Sequence, residues 1–433
     1  MSKEDLFEPE IEAMPRPELE QLQEQRVLEL IPYVYERSDF YRMHWDEAGV
    51  KPADIRSLQD FKERIPFINK DMIRDYREKT GDPYGGILCV DPADLTSIAS
   101  SSGTTGDPTF FNEQYDEYIP LMVGWVRALW EHGLRPGDHA ITGSATFRGA
   151  SCHEHRILGV VPIAIDSWFG QWDAVLDAIK RYDVRQIHVV GPLISELERL
   201  SHHRDMREAL APLKFMTFAG EPMGSRMQQT VREEWDTDLV MWTSAGDTGT
   251  AWECKQHNGY HVHEDTVLVE DLVPDKNESV IEGEVGELVT TDLDNLVAPL
   301  IRYRAEDLVR VNRQQCECGR THARFWPLGR AGDLTIVRGK SVMPLEVWAV
   351  IEQFDETRSA LFQIIRPQKE VDELHLRVGY APDLTKDTGE LRERICAGLA
   401  EAVGISPTVE LLEEKEIVAR ASSAAKIPRI AKS

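Results

Sequence analysis

The sequence contains no long apolar run, and we expect no secretory leader. No window of its 433 residues approaches the roughly 18 apolar residues that a membrane-spanning helix needs. The first residues, Met1-Ser2-Lys3-Glu4-Asp5, lack the apolar segment of a signal peptide. We therefore expect a cytoplasmic protein that does not bind membranes.

Cysteine is scarce. The chain has six cysteines, at positions 89, 152, 254, 316, 318 and 396. They are too few and too unevenly spaced for a disulfide framework in a chain of this length. Cys316 and Cys318 are separated by one residue, which places them poorly for pairing with each other. That spacing is more typical of metal ligands.

Basic residues are also under-represented. The chain has 49 Lys and Arg against 75 Asp and Glu, which gives a net charge of -26 at pH 7. The isoelectric point is near 4.9. A chain of this charge repels nucleic acid unless it carries a local basic run, and the sequence has no such run. We expect no nucleic-acid partner.

The chain does contain a stretch rich in hydroxyl groups and glycine, Ser100-Ser101-Ser102-Gly103-Thr104-Thr105-Gly106-Asp107-Pro108. Glycine lets the backbone turn so that its N–H groups converge, and hydroxyls add donors with little bulk. These are the properties of a loop that wraps a polyphosphate. A flexible linker has a similar composition, so the stretch alone leaves both interpretations open.

The first part of the chain predicts helices at residues 18–37 and 55–65. From residue 139 to 242, short apolar strands alternate with amphipathic helices. This alternation predicts a parallel sheet with helices on its faces, in which ligands bind at the carboxyl ends of strands. Two turns at such ends, Gly220-Glu221-Pro222 and residues 243–247, are candidate binding loops.

After Trp252, β-rich segments predict a smaller antiparallel, barrel-like unit with separate strands at residues 300–304 and 308–311. A polar break at residues 329–333 then precedes a compact α+β tail. We predict an α/β protein with two domains joined by a hinge. The large domain covers residues 1–330, and the small α+β domain covers residues 331–433.

The clearest candidate metal site is a set of three cysteines and one histidine: Cys254, His261, Cys316 and Cys318. Three thiols and an imidazole make a closed tetrahedral set for a structural zinc ion, and a Cys-x-Cys-Gly turn presents two sulfurs together. His263 and His322 are alternative nitrogen donors. This spacing is less specific than two Cys-x-x-Cys motifs, so reduced, buried cysteines remain the alternative interpretation.

A series of short motifs runs through more than half of the chain. In order they are residues 101–106, 219–222, 252–254, 259–261 with Glu264 and Asp265, 283–291, 299–304 with Asp307, 316–321, 329–330 with Asp333, 337–339 and 342–344. Together they resemble the motifs of acyl-adenylate-forming ligases and, within that superfamily, of the phenylacetate–CoA ligase family. The resemblance implies an adenylation domain followed by a mobile C-terminal domain. It also implies a reaction in two steps, in which a carboxylate attacks the α-phosphate of ATP and coenzyme A then displaces AMP.

The resemblance implies that the hydroxyl-rich loop holds the β- and γ-phosphates of ATP. The residues concerned are Ser101, Ser102, Gly103, Thr104, Thr105 and Gly106. Asp107 stands where family members often carry Lys, which lowers the expected phosphate affinity. The adenine pocket is expected to be formed by Ala219, Gly220, Glu221 and Pro222. Trp242 stands in the position of a stacking Tyr, although a Trp at the end of a strand is also typical of a core residue.

Further roles follow from the same resemblance. Asp307 would accept hydrogen bonds from both ribose hydroxyls, with Arg330 in the same nucleotide-binding group. The alternative for Asp307 is a surface acid after a strand. Asp333 would be the hinge, and rotation there would bring Arg338 and Gly339 to line a coenzyme A tunnel.

Two residues are candidates for the chemistry itself. Family members hold Mg²⁺ with a Glu that has no counterpart in register here, so Asp247 would take the ion if its loop is one residue longer. Lys426 is expected to neutralise the charge that develops between the carboxylate and the α-phosphate. Lys432 is the alternative lysine.

Substrate identity is the least readable property of the sequence. Phe147, Arg148 and His153 are candidates for the acyl pocket, whereas Glu154 and Arg156 are expected to be helix-surface charges. Arg148 and His153 favour an aryl or arylacetic acid that carries a second polar or anionic group.

Two other functions stay open at this point. One is an adenylate-forming enzyme that passes its acyl group to an amine or a carrier thiol. The other is a nucleotide-binding protein without turnover, which Asp107 and the missing Glu suggest. The oligomeric state is also open, with a homodimer among the alternatives.

Overall fold

The computed structural model of the protein describes residues 5–100, 110–114, 120–143, 153–165, 171–219, 223–357, 359–420 and 428–432. It confirms the predicted α/β class, with a large mixed sheet and a smaller C-terminal sheet. Within these residues, no helix has both the length and the apolar character that crossing a membrane requires.

Helices form the first part of the chain. Their bounds, with one short strand, are α1 (Pro9–Glu12), α2 (Arg16–Arg37), α3 (Asp39–Glu47), α4 (Leu58–Arg64), β1 (Ile68–Asn69) and α5 (Lys70–Thr80). α2 buries Val27, Leu30 and Val34 on one face, as the spacing over residues 18–37 predicts. α4 is shorter than predicted because Ser57 caps its start by accepting the Asp60 N–H.

A two-stranded antiparallel pair flanks the glycine-rich stretch. β2 (Ser97–Ser100) precedes the stretch and β3 (Phe110–Glu113) follows it. The pair therefore fixes both ends of the sequence that was predicted to wrap phosphate.

The predicted parallel sheet is present. Its elements are α6 (Pro120–Glu131), β4 (His139–Gly143), α7 (His153–Ile157), β5 (Val161–Ile165), α8 (Trp172–Arg181), β6 (Val184–Val190), α9 (Gly191–Ser201), α10 (Met206–Leu210), β7 (Phe215–Ala219), α11 (Ser225–Gln229) and β8 (Leu239–Ser244). The strand order is β5-β4-β6-β7-β8. Ile187 and Met216 of the sheet pack with Val175 and Ile179 of α8 in one apolar core.

The antiparallel strands are β9 (Thr250–Glu253), β10 (Tyr260–Val262), β11 (Val267–Leu272), β12 (Val285–Asp292), β13 (Tyr303–Asn312) and β14 (Arg324–Arg330). They continue the parallel sheet, because β9 pairs with β8. The segments at 300–304 and 308–311 were predicted as separate strands, but β13 spans residues of both. An irregular register at Leu308 and Val309 and a positive φ at Glu306 let the strand bend without ending.

The C-terminal part contains β15 (Thr335–Val337), β16 (Lys340–Val342), α12 (Pro344–Ile351), β17 (Phe362–Ile365), β18 (Glu370–Val371), β19 (His375–Tyr380), α13 (Thr388–Val403), β20 (Thr408–Glu413), α14 (Glu414–Arg420) and β21 (Ile430–Ala431). β20, β19, β17 and β21 form one sheet, and α12 and α13 pack with it around Phe362, Leu376 and Ile395. The predicted α+β tail is therefore present. A short 3₁₀ turn, Ala331–Asp333, lies at the predicted hinge.

Candidate active site and metal centre

Asp247 lies where the parallel part of the sheet meets the antiparallel part. Ser244 of β8 is opposite Thr250 of β9, so residues 245–249 form the turn between these strands. Asp247 has a φ of 63°, a conformation that Asp tolerates better than most residues. Its backbone N–H donates to Ser244 Oγ at 3.0 Å. The turn follows the carboxyl end of β8, which is where the sequence predicts a binding loop.

Asp307 and Arg330 are brought together by the register of β13 and β14. They are paired directly across the two strands, with Arg330 Nε 3.5 Å from Asp307 Oδ1. Burial alone would lower the pKa of Arg330, but the carboxylates of Asp307, Asp247 and Asp333 outweigh it and raise that pKa. Three predicted site residues therefore gather around one permanent cation.

Lys70 belongs to the same group, although no sequence motif pointed to it. β1 pairs in parallel with β13, with Ile68 opposite Tyr303, and this pairing brings the start of α5 to the site. Burial and the positive charge of Arg74 lower the pKa of Lys70, whereas Asp247 acts in the opposite direction. The local sequence gave no signal because β1 is so short and its partner strand lies far along the chain.

Trp242 packs among other aromatic residues. Its ring stacks on Trp252 with centroids 5.2 Å apart and meets Trp125 edge-on at 4.6 Å. The ring is half-buried. Ala219, which ends β7, is buried. The packing favours the core interpretation of Trp242, and adenine stacking stays a prediction.

α7 carries the charged stretch of the predicted acyl pocket. His153 begins the helix and is half-buried. The expectation that Glu154 is a surface charge is wrong, because it is 3% exposed and its Oε1 lies 3.0 Å from His155 Nδ1. A partner inside the protein offsets the cost of burying that carboxylate. Arg156 is exposed, as expected.

Arg338 and Gly339 form a two-residue hairpin turn. Val337 of β15 pairs with Lys340 of β16, and the two turn residues have φ values of 49° and 81°. Two successive positive φ values are typical of a type I′ turn, which glycine favours at the second position. Both residues are exposed, and Asp333 is half-buried.

The four predicted metal ligands converge. The ligand atoms of Cys254, His261, Cys316 and Cys318 lie within 4.8 Å of one another, and all four residues are buried. Cys254 Sγ is 3.9 Å from Cys316 Sγ, and Cys318 Sγ is 3.4 Å from His261 Nε2. Tetrahedral zinc with a Zn–S distance of about 2.3 Å holds its ligand atoms roughly 3.5–3.8 Å apart. The set is therefore of the right size for one such ion.

Hydrogen bonding holds His261 in the form that a metal requires. Nδ1 lies 3.1 Å from the carbonyl oxygen of His322 and donates to it, which leaves Nε2 unprotonated and directed at the sulfurs. Burial lowers the pKa of His261, so the imidazole stays neutral. Arg320 Nη1 lies 3.9 Å from Cys318 Sγ, where a guanidinium stabilises a thiolate.

The two alternative histidines are less suitable ligands. His322 Nδ1 accepts the Glu264 N–H at 3.0 Å, and its Nε2 donates to the Ile11 carbonyl at 2.9 Å. His263 Nδ1 lies 3.3 Å from Arg127 Nη1. Of the three histidines, the geometry favours His261.

Several predicted site residues lie outside the described residues. They are the phosphate-loop residues 101–106 with Asp107, the pocket residues Phe147 and Arg148, the adenine-loop residues Gly220, Glu221 and Pro222, and Lys426.

Comparison with known proteins agrees with the fold. The family described as AMP-binding enzyme C-terminal domain matches residues 339–432. A phenylacetate-coenzyme A ligase from Thermus thermophilus is 31% identical over 432 residues, which cover 94% of this chain and 95% of that protein. A phenylacetate-coenzyme A ligase from Escherichia coli is 27% identical and covers 91% of each chain.

A solved structure is also similar. The crystal structure of 2-hydroxyisobutyryl-CoA ligase in the postadenylation state, in complex with R3-HIB-AMP, has a TM-score of 0.84. It covers 98% of this chain and 92% of that chain at 22% sequence identity. At this identity the likeness shows that the two chains share a fold.

Proposed function

This chain belongs to the phenylacetate–coenzyme A ligase family, and we propose that it converts an aryl or arylacetic acid to its coenzyme A thioester. The reaction class is AMP-forming acid–coenzyme A ligation with ATP and coenzyme A as co-substrates. One observation supports this assignment and locates the candidate site: Asp247, Lys70, Asp307 and Arg330 lie close together near the carboxyl end of β8.

The first step joins two anions. A carboxylate oxygen attacks the α-phosphorus of ATP, the bond from that phosphorus to the bridging oxygen breaks, and pyrophosphate leaves with the electron pair. Lys70 and Arg330 reduce the repulsion between these anions, because both cations lie at the edge of the sheet where the triphosphate binds.

Asp247 is the residue that would hold Mg²⁺. A carboxylate oxygen is the ligand type that this ion prefers, and Asp247 lies in the turn that follows the carboxyl end of β8. The ion, when bound, neutralises phosphate charge during the displacement. Asp307 orients the nucleotide by accepting from the ribose hydroxyls, and Arg330 holds that carboxylate in place.

The second step needs a different set of residues. The thiolate of coenzyme A attacks the acyl carbon, and AMP leaves with the electrons of the acyl–oxygen bond. The domain of residues 331–433 rotates at Asp333 relative to the domain of residues 1–330. Rotation removes Lys426 from the site and brings in the exposed turn at Arg338 and Gly339.

Acyl specificity rests on the stretch that includes Phe147, Arg148 and His153. Its ionisable residues favour an aromatic acid that carries an additional hydroxyl or carboxylate over unsubstituted phenylacetate. The half-buried position of His153 at the start of α7 supports a role for it in the pocket.

A structural zinc ion at Cys254, His261, Cys316 and Cys318 completes the proposal. The ligands come from the end of β9, from β10 and from the loop between β13 and β14, so the ion would join three segments of the antiparallel part. All four ligand positions are protein atoms, which is typical of a structural site.

The deciding experiment is ATP–pyrophosphate exchange with a panel of carboxylic acids, followed by coenzyme A-dependent AMP release for each active acid. Exchange with AMP release that requires coenzyme A is the expected result. Pyrophosphate exchange without coenzyme A-dependent AMP release would indicate an amine or carrier thiol as acceptor. Nucleotide binding without exchange for any acid would indicate a protein that has lost turnover.

A further inference from the structure

Gly224 is a glycine that the backbone conformation does not require. Its φ of -62° and ψ of 151° are in the ordinary extended region, which any residue adopts. A Cβ at this position would nevertheless overlap Oε2 of Glu352 and come within 2.6 Å of Trp348 Nε1. Glycine is needed here because another part of the chain approaches closely.

That part is the C-terminal domain. Trp348 lies within α12 and Glu352 is the residue that follows this helix, both inside the residues that match the AMP-binding C-terminal family, whereas Gly224 and Ser225 belong to the main body. Glu352 Oε1 accepts from the Ser225 backbone N–H at 3.0 Å and from Ser225 Oγ at 2.9 Å. Glu352 is only 4% exposed, so these hydrogen bonds are shielded from water.

Trp348 has little freedom to move aside. The guanidinium of Arg429 lies 3.9 Å from its ring centroid, and Phe362 contacts it edge-on at 6.1 Å. A methyl group at residue 224 would therefore push the domain away as a whole. The three heavy atoms nearest to that methyl group all belong to Glu352 and Trp348 of the C-terminal domain.

In the proposed reaction, thioester formation needs another domain arrangement, because rotation at Asp333 has to bring Arg338 and Gly339 into the site. Arg338 and Gly339, which would line the coenzyme A tunnel, are exposed while Glu352 is docked. Ser225 begins α11 and follows the adenine loop at residues 220–222 closely in sequence. The contact thus links the position of the C-terminal domain to the segment next to the nucleotide.

We propose that Gly224, Ser225 and Glu352 form a latch that holds the C-terminal domain against the main body for adenylate formation and must open before thioester formation. The latch rests on the proposed two-step reaction. Gly224 permits the close approach, and Glu352 supplies the hydrogen bonds that make it favourable. Both are positioning residues, because neither touches the reacting atoms.

The test uses the full-length enzyme with Gly224→Ala and Glu352→Ala. Each variant is expected to lower phenylacetate-dependent pyrophosphate exchange by at least about tenfold, the effect of losing one or two shielded hydrogen bonds. Thioester formation from supplied phenylacetyl-adenylate and coenzyme A is expected to be unchanged or faster. Glu352→Gln keeps an oxygen acceptor for Ser225 and is expected to retain most of the exchange activity.

Small-angle X-ray scattering without substrate reports domain position independently of activity. Both alanine variants are expected to give a larger radius of gyration than the wild type. Gly389→Ala is the matched control, because Gly389 is exposed at the start of α13 and away from the latch. It is expected to leave scattering and both half-reactions unchanged.

Equal losses in both half-reactions with unchanged scattering would overturn the latch, because they indicate local damage. A double variant, Gly224→Ala with Glu352→Ala, is expected to lose less than the product of the single losses, since the overlapping carboxylate is gone. If the loss of exchange activity in the double variant equals the product of the two single losses, the residues act independently, which would also contradict the latch. Failure of the proposed function is a distinct result. In that case the wild type shows no pyrophosphate exchange with any acid, while the radius of gyration of the two alanine variants is still larger than that of the wild type.

Discussion

Asp307 and Arg330 face each other across β13 and β14, with Arg330 Nε 3.5 Å from Asp307 Oδ1. The Arg330 side chain is 47% exposed, and exposed ion pairs contribute little to the free energy of unfolding. The value of this pair therefore lies in orientation. The guanidinium keeps one carboxylate oxygen engaged and so limits the orientations that the carboxylate takes when it would bind ribose.

Replacing Asp307 with Asn should weaken ATP binding without unfolding the protein. An amide cannot accept from two hydroxyls side by side, so the KM for ATP is expected to rise at least about tenfold. Initial rates of pyrophosphate exchange against ATP concentration measure this. Glu284→Gln, at the exposed turn before β12, should leave the KM unchanged. An unchanged KM in Asp307→Asn would reject the ribose role.

Asp247 should control the magnesium requirement. In Asp247→Asn, the loss of one anionic ligand is expected to raise the Mg²⁺ concentration for half-maximal exchange at least about tenfold. Asp275→Asn is a matched control, since Asp275 has a φ of 62° against 63° for Asp247 and Asn tolerates the same conformation. If both variants show the wild-type Mg²⁺ dependence, another residue holds the ion.

Lys70 should give ATP binding an alkaline limit. Burial and Arg74 lower the pKa of Lys70 below its ordinary value of 10.5, so its charge is lost at a lower pH than that of an exposed lysine. The KM for ATP is expected to rise as the pH rises through that pKa. Lys70→Arg keeps the cation and should remove the alkaline rise, whereas Lys70→Met should raise the KM at every pH. Lys79→Ala, at the exposed end of α5, is the control.

Local patterns explain why much of the fold could be predicted from the sequence. The parallel strands and their helices have clear periodicity, and the spacing of Cys316 and Cys318 pointed to ligands that do converge. Lys70 could not be found this way, because its position depends on β1 pairing with β13 far along the chain. The same holds for the continuity between the parallel and antiparallel parts of the large sheet, which depends on Trp242 of β8 lying opposite Trp252 of β9.

The burial of Glu154 shows a different limit of sequence reasoning. A charged residue on a short helix is normally placed on the surface, and only tertiary structure reveals that α7 buries Glu154 together with its sequence neighbour His155. The close approach of Glu352 to Gly224 is likewise invisible in sequence, since the glycine has an ordinary φ.

The cysteine cluster should hold zinc and stabilise the main body. Protein purified without chelator is expected to contain about one zinc per chain. Cys316→Ser should reduce zinc to well below that level and lower Tm, because the binding free energy of a structural ion contributes to folding. Cys396→Ser removes a thiol outside the cluster and should change neither. Wild-type protein with little zinc and a normal Tm would favour reduced, buried cysteines.

His257 should make stability depend on pH. Its Nε2 lies 3.1 Å from Asp238 Oδ1 and its Nδ1 lies 3.2 Å from Glu253 Oε2. These hydrogen bonds raise the pKa of His257 from 6.5 to about 9, and the one to Asp238 has the larger effect. A raised pKa means that the folded state binds the proton more tightly than the unfolded state. The contribution is therefore fully present below pH 6.5 and is lost as the pH rises through about 9.

Urea unfolding at several pH values between 6.5 and 9 tests this contribution. The free energy of unfolding of the wild type should fall over that range, and His257→Gln should be less stable at the acid end with a flatter dependence. The difference between the two proteins should shrink toward the alkaline end, where the wild-type imidazole has lost its proton. His375→Gln replaces an exposed histidine and should follow the wild-type curve. Parallel curves for the wild type and His257→Gln would mean that the ion pairs of His257 do not stabilise the fold, because their loss with pH would then have no energetic effect.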